Sequence, residues 1–237
     1  MRSYLFIASE VRSGSTFVAE SIAYYINRRF GHEFWDLAKE PWAHVDATTP
    51  TSELLDIAHK LYLDRSGYAS GKIMCKALSV LHKKALLSPE IKNTFFGENA
   101  FWIVVRRKDK LRQAISLATA EKSGVYHFYG DASNADDKEV AIEPLEIERS
   151  LKAIMLSDLY LETFARSLPQ RQVLSFFYDD FMQDNGKYLN LINELCQFPT
   201  DPDALPVMNL ARLTPTGQSG KRDAYEKFCA WLLENYD

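Results

Sequence analysis

The sequence predicts an α/β fold of three layers around a mostly parallel central sheet. Two observations predict it. Short, unbroken apolar runs recur along the chain, as strands buried on both faces require, and each is followed by apolar residues at helical spacing. Strands that alternate with helices through short loops build parallel sheets. Such sheets bind ligands at the carboxyl ends of their strands, and every polar motif described below lies at such an end.

The first run is Tyr4, Leu5, Phe6, Ile7 and Ala8. A polar loop over 9–14 follows, and then Phe17, Ile22, Tyr25 and Ile26, with Ala19 and Ala23 between them, keep a helical period to residue 29. The same grammar returns at Gly71, Lys72, Ile73, Met74 and Cys75, followed by a helix over 77–87. It returns again at 101–105, followed by a helix over 110–120. A late strand over 173–177 precedes a helix over 188–196. Residues 123–143 are polar and acidic, either a surface excursion or a lid. Pro199, Pro202, Pro206 and Pro215 make 198–220 irregular, and a last helix is expected over 222–236. The chain reads as one domain, 1–237, without internal repeats.

At 237 residues the chain buries enough surface, about 70–75% of what it exposes unfolded, to need neither disulfide nor structural metal. Its 28 basic and 32 acidic side chains give a net charge of -4. There is no global basic field to hold nucleic acid or an anionic membrane. Cys75, Cys196 and Cys229 form no CxxC pair, which favours a reducing compartment. No run approaches the roughly 18 apolar residues of a membrane span, and the first ten residues are too soon acidic for a secretory signal. The expectation is a soluble, cytoplasmic protein.

Ser9, Glu10, Val11, Arg12, Ser13, Gly14, Ser15 and Thr16 lie between strand and helix, where a phosphate-binding loop would lie. Unpaired backbone N–H groups and a partial positive charge make that spot favourable for a phosphate or sulfate. Against GxxxxGK[ST], Gly14 and Thr16 fall in register, but Ser9 replaces the first glycine and Ser15 the lysine, which disfavours an ordinary nucleoside-triphosphate hydrolase. Arg12 adds a permanent fork of donors suited to bridging anionic oxygens. The plainer alternative is a capped helix in which Ser13 or Ser15 caps and Gly14 turns. Five of the seven residues from Arg106 to Arg112 are cationic, directly after a strand. They form either a solvated helix face or an anion clamp.

RSGST after the first strand, with VVRRKDKLRQAIS after a later one, resembles the sulfotransferases that use 3'-phosphoadenosine 5'-phosphosulfate (PAPS). The closest resemblance is to the Stf0 family, which includes trehalose 2-sulfotransferase. Phe177-Tyr178-Asp179-Asp180-Phe181 is similar to a YEDL-like element of this superfamily, and Gly71-Lys72-Ile73-Met74 to its G-x-K strand. The resemblance spans residues 1 to 198 and implies a P-loop-like sulfotransferase fold. It implies that Arg12, Ser13, Gly14, Ser15 and Thr16 cradle the 5'-phosphosulfate, and that Ser116 and an arginine of the pair Arg106 and Arg107 clamp the 3'-phosphate. The superfamily's usual spacing from Ser116 lands on Lys108; Arg106, at the strand's end, is the first choice.

Gly31-His32-Glu33-Phe34-Trp35 resembles the family's P-x-E-[FY]-F element, without its proline, and implies Glu33 as the base that deprotonates the acceptor. His32 is the alternative, and a plain solvent-facing role for Glu33 stays open. Phe34, Trp35 and Trp42 either form an apolar platform for a sugar face or belong to the core. The implied reaction is in-line sulfuryl transfer to a hydroxyl of a carbohydrate or glycolipid, with PAPS as donor, no metal, and no nucleic-acid partner. Relatives often pair, but no self-complementary stripe compels a homodimer. Two other readings stand beside it: a P-loop kinase using ATP, and a nucleotide-binding module without catalysis.

Overall fold

Four apolar segments become one parallel sheet in the computed structural model, which describes residues 3–26, 30, 33, 42, 48–62, 68–124, 140–196 and 219–235. In chain order the elements are β1 (Ser3–Ser9), α1 (Ser15–Tyr25), α2 (Thr51–Tyr62), β2 (Tyr68–Met74), α3 (Cys75–Leu87), α4 (Pro89–Phe96) and β3 (Ala100–Arg106). They continue with α5 (Lys110–Ser123), α6 (Pro144–Ser167), β4 (Val173–Phe177), α7 (Tyr178–Gln183), α8 (Asn185–Cys196) and α9 (Ser219–Asn235). The strand order is β2-β1-β3-β4, and every pair is parallel. This is the fold class read from the sequence.

Alternation along each strand separates two apolar faces. Tyr4, Phe6, Ala8, Trp102 and Val104 pack under α2, α3, α4 and α6, through Leu54, Leu78, Phe95 and Phe164 among others. Leu5, Ile7, Ile103 and Val105 pack against α1, α7 and α8 through Val18, Ile22, Phe181 and Ile192. A third cluster joins α5, the start of α6 and α9 around Ile115, Ile147 and Phe228. Trp42 is 2% exposed and belongs to the first cluster, so it is core and not a sugar platform. Phe34, Trp35 and His32 lie outside the described residues, as do 125–139 of the acidic segment and 197–218 of the proline-rich one.

The sequence reading did not foresee α2, α4 or α7, nor the length of α6. The start of α6 shows why. Glu143 closes the acidic segment read as a loop, but with Glu146 it forms a reciprocal capping box, each side chain accepting from the other's backbone N–H. Polar residues that look like loop are here the terminal turn of a 24-residue helix. Similarly, Ser88 caps α4 by accepting from the Ile91 N–H, with Pro89 in the first turn.

Register is what positions the site. Ser9 pairs with Met74 on one side and Val105 on the other, and Arg106 pairs with Phe177. All four strands therefore end at one level, so the loop after β1, the start of α3, residues 107–109 and Tyr178 meet at one edge. Among the described residues, no helix is long and apolar enough to cross a membrane.

Candidate functional site

The loop after β1 is held in an unusual backbone conformation. Arg12 (φ 60°) and Gly14 (φ 86°) are both left-handed. Such turns gather successive N–H groups into a concavity that suits an anion. Gly14 is needed for a second reason, since a Cβ there would fall 2.3 Å from Cδ2 of the Tyr178 ring. Gly14 is itself the N-cap of α1, so neither Ser13 nor Ser15 caps that helix. Ser13 is 1% exposed, and its hydroxyl, like that of Ser9, has no hydrogen-bond partner.

Three hydrogen bonds tie this loop to the segment after β3. The Arg12 Nε–H donates to Ser116 Oγ (3.0 Å), Arg107 Nη1 donates to the Arg12 carbonyl (3.2 Å), and Gln113 Nε2 donates to the Val11 carbonyl (2.8 Å). Gln113 and Ser116 are three apart on α5 and so share the face turned to the loop. Arg107 Nε and Gln113 Oε1 are buried without partners. The two motifs singled out in the sequence are thus one site.

The basic cluster resolves differently from its sequence appearance. Arg106 forks onto Asp158 of α6, with Nε to Oδ1 at 3.0 Å and Nη2 to Oδ2 at 2.6 Å, and Nη2 also meets Glu162 at 3.0 Å. Lys110 pairs with the same Asp158. Burial alone would raise the Asp158 carboxyl, but the hydrogen bonds from Arg106 and Lys110 outweigh it and hold it below its ordinary range. Lys108 pairs with Asp180 while its N–H donates to Asp179 (2.7 Å), and Arg112 pairs with Asp109 (3.3 Å). Four of the five cations therefore face carboxylates. Arg106, the first choice for the clamp, is committed to α6, and Arg107 is the member of the pair that meets the loop.

On the other flank, Lys72 enters from β2. It is 7% exposed, and its Nζ donates to Thr16 Oγ1 (2.8 Å) and contacts Glu33 Oε1 (3.1 Å). Glu33 and Lys72 also form an isolated parallel bridge, which fixes that carboxylate beside the loop. Burial raises the Glu20 carboxyl on α1, one turn beyond Thr16, against the opposing field of Lys72. Sequence reasoning left Lys72, Gln113 and Tyr178 without roles. For Lys72 a signal was present: a charged residue within an apolar strand run is unusual unless it is paired. Among the described residues, no group of His, Cys, Asp and Glu could hold a metal ion.

A family model described as Stf0 sulphotransferase matches residues 3–155. No curated protein matches the chain. Among solved structures, the sulfotransferase domain from the curacin biosynthetic pathway is 13% identical at a TM-score of 0.49, with 93% of this chain and 82% of that one covered. A sulfotransferase from Alicyclobacillus acidocaldarius is 12% identical at 0.45, with coverage of 98% and 94%. Retinol dehydratase in a complex with retinol and PAP is 12% identical at 0.48, with coverage of 86% and 63%.

Proposed function

The chain belongs to the Stf0 sulphotransferase family, and from that premise we propose that it transfers a sulfuryl group from PAPS to a hydroxyl of a carbohydrate or glycolipid. The observation that carries this reading is the hydrogen bond from Arg12 to Ser116, which joins two anion-binding motifs 104 residues apart. A donor with phosphates at both ends of its ribose needs two such motifs side by side. The residues present fit that donor: Ser13 Oγ and Arg107 Nε are buried polar atoms without protein partners, and buried polar groups are rarely left so.

In this reading Arg12, Ser13, Gly14, Ser15 and Thr16 hold the 5'-phosphosulfate, and Ser116 with Arg107 holds the 3'-phosphate. The donor supplies an activated sulfuryl group and a phosphate leaving group. Glu33 takes the proton of the acceptor hydroxyl as the new sulfur–oxygen bond forms. Charge grows on the oxygen that bridges sulfur and the leaving phosphate, so cations and N–H groups already in place provide most of the acceleration. Arg12 is the cation on that path, and no metal is required. Free thiols at Cys75, Cys196 and Cys229 support a reducing, cytoplasmic setting.

The test is transfer of labelled sulfate from PAPS to a panel of glycan extracts in the presence of EDTA. We expect transfer to survive EDTA, Glu33→Gln to lower the rate by about a hundredfold to ten-thousandfold, and Arg12→Ala to lower it by about a hundredfold to a thousandfold. Undiminished turnover in Glu33→Gln removes Glu33 from the base role. Activity that requires Mg²⁺ and ATP refutes the donor assignment.

A further inference from the structure

We infer that Lys72 is the positioning residue for the base, coupling the Glu33 carboxylate to the donor loop from the strand beside it. The inference rests on the proposed role of Glu33. The phosphate-binding loop of this chain has Ser15 where a lysine stands in GxxxxGK[ST], so the loop brings no ammonium of its own. An ammonium reaches the same place from β2. Lys72 lies opposite Ile7 in the parallel register of β1 and β2, two residues short of the strand ends.

Burying an ammonium is costly unless it is paired and hydrogen-bonded, and Lys72 is both. Its Nζ bridges two groups, Thr16 Oγ1 at 2.8 Å and Glu33 Oε1 at 3.1 Å. Thr16 is the second residue of α1, so the position of the carboxylate is measured from the first turn of the helix that follows the loop. The parallel bridge between Glu33 and Lys72 anchors the backbone, and the ammonium sets where the side chain points. Glu20, on the same helix as Thr16, is the second carboxylate in the field of Lys72.

A base displaced by about 1 Å loses on the order of a hundredfold in rate. The experiment measures kcat with PAPS for Lys72→Met, Lys72→Gln, Lys72→Arg, Glu33→Gln and the double variant Lys72→Met with Glu33→Gln, and the affinity of each for adenosine 3',5'-bisphosphate by calorimetry. We expect kcat to fall about a hundredfold in Lys72→Met with bisphosphate affinity within threefold, Lys72→Arg to recover most of the rate, and the double variant to be no slower than Glu33→Gln. Calorimetric binding shows that each variant is folded, and Lys72→Gln, which keeps a donor for Thr16, serves if Lys72→Met does not fold. The inference is overturned if kcat changes less than threefold, if bisphosphate affinity falls in parallel with rate, or if the two substitutions add in the double variant. Full activity in Glu33→Gln instead removes the base reading, whatever Lys72 does.

Discussion

Gly14→Ala tests the packing of the donor loop directly. Two costs follow from the structure. At φ 86° an alanine sits in the left-handed region, at about 1–2 kcal/mol. Its Cβ would also lie 2.3–2.5 Å from three atoms of the Tyr178 ring, more than 1 Å inside the usual contact distance of about 3.5–4.0 Å. Relieving such overpacking costs a further 1–3 kcal/mol or so. Together these predict a loss of about 2–5 kcal/mol, or a fall in Tm of about 4–20 °C for a chain of this length. Thermal unfolding of Gly14→Ala, Tyr178→Ala and the double variant separates the two costs. With the ring absent, only the backbone part of the Gly14→Ala penalty should persist, about 1–2 kcal/mol. A Gly14→Ala protein that melts within 2 °C or so of the parent, or a penalty that is the same with and without the ring, refutes the reasoning.

Arg107→Ala should weaken binding of adenosine 3',5'-bisphosphate by about 10-fold to 150-fold, the worth of a hydrogen bond to a charged group, with little change in Tm. Arg106→Ala should do the reverse, since it leaves the largely buried Asp158 with Lys110 as its remaining cation; calorimetry and thermal unfolding of the two proteins distinguish them. Asp158→Asn should destabilise the protein by about 2–4 kcal/mol at neutral pH, read as a shift in urea midpoint. The folded carboxyl lies below its ordinary range, so its contribution is present above the unfolded value near pH 4 and disappears as pH falls through the folded value. The gap between Asp158→Asn and the parent should accordingly narrow from pH 5 downward.

Much of the fold was legible because β1 and β3, inside the sheet, are buried at nearly every residue, while β4 at its edge is half-buried but still apolar. Residues 4–8, 101–105 and 173–177 have no polar side to confuse with a loop except Ser175, and each falls within β1, β3 or β4. The helices that follow these strands were legible from their period. α2 and α4 do carry an amphipathic period in sequence, but neither directly follows one of the apolar runs, and α6 begins with acidic caps that imitate a loop.

The candidate site was legible as two motifs but not as an arrangement. Residues 106–112 carry five bases and one acid, which in the sequence looks like a concentrated cationic field. In the folded chain Asp158 and Glu162 arrive from α6 and Asp180 from α7, and they neutralise Arg106, Lys108 and Lys110. What stays directed at the loop is Arg107, with Arg12 across from it and Lys72 on the far flank.

The sequence by itself determined the sheet, the loop between β1 and α1, and the family, because burial on both faces and contiguous motifs are written in neighbouring residues. Only the tertiary structure decided which cations serve the loop and which hold the fold together. Ion pairs and hydrogen bonds are settled at about 3 Å between side chains 52 to 104 residues apart, and no local pattern of hydrophobicity or charge records that distance.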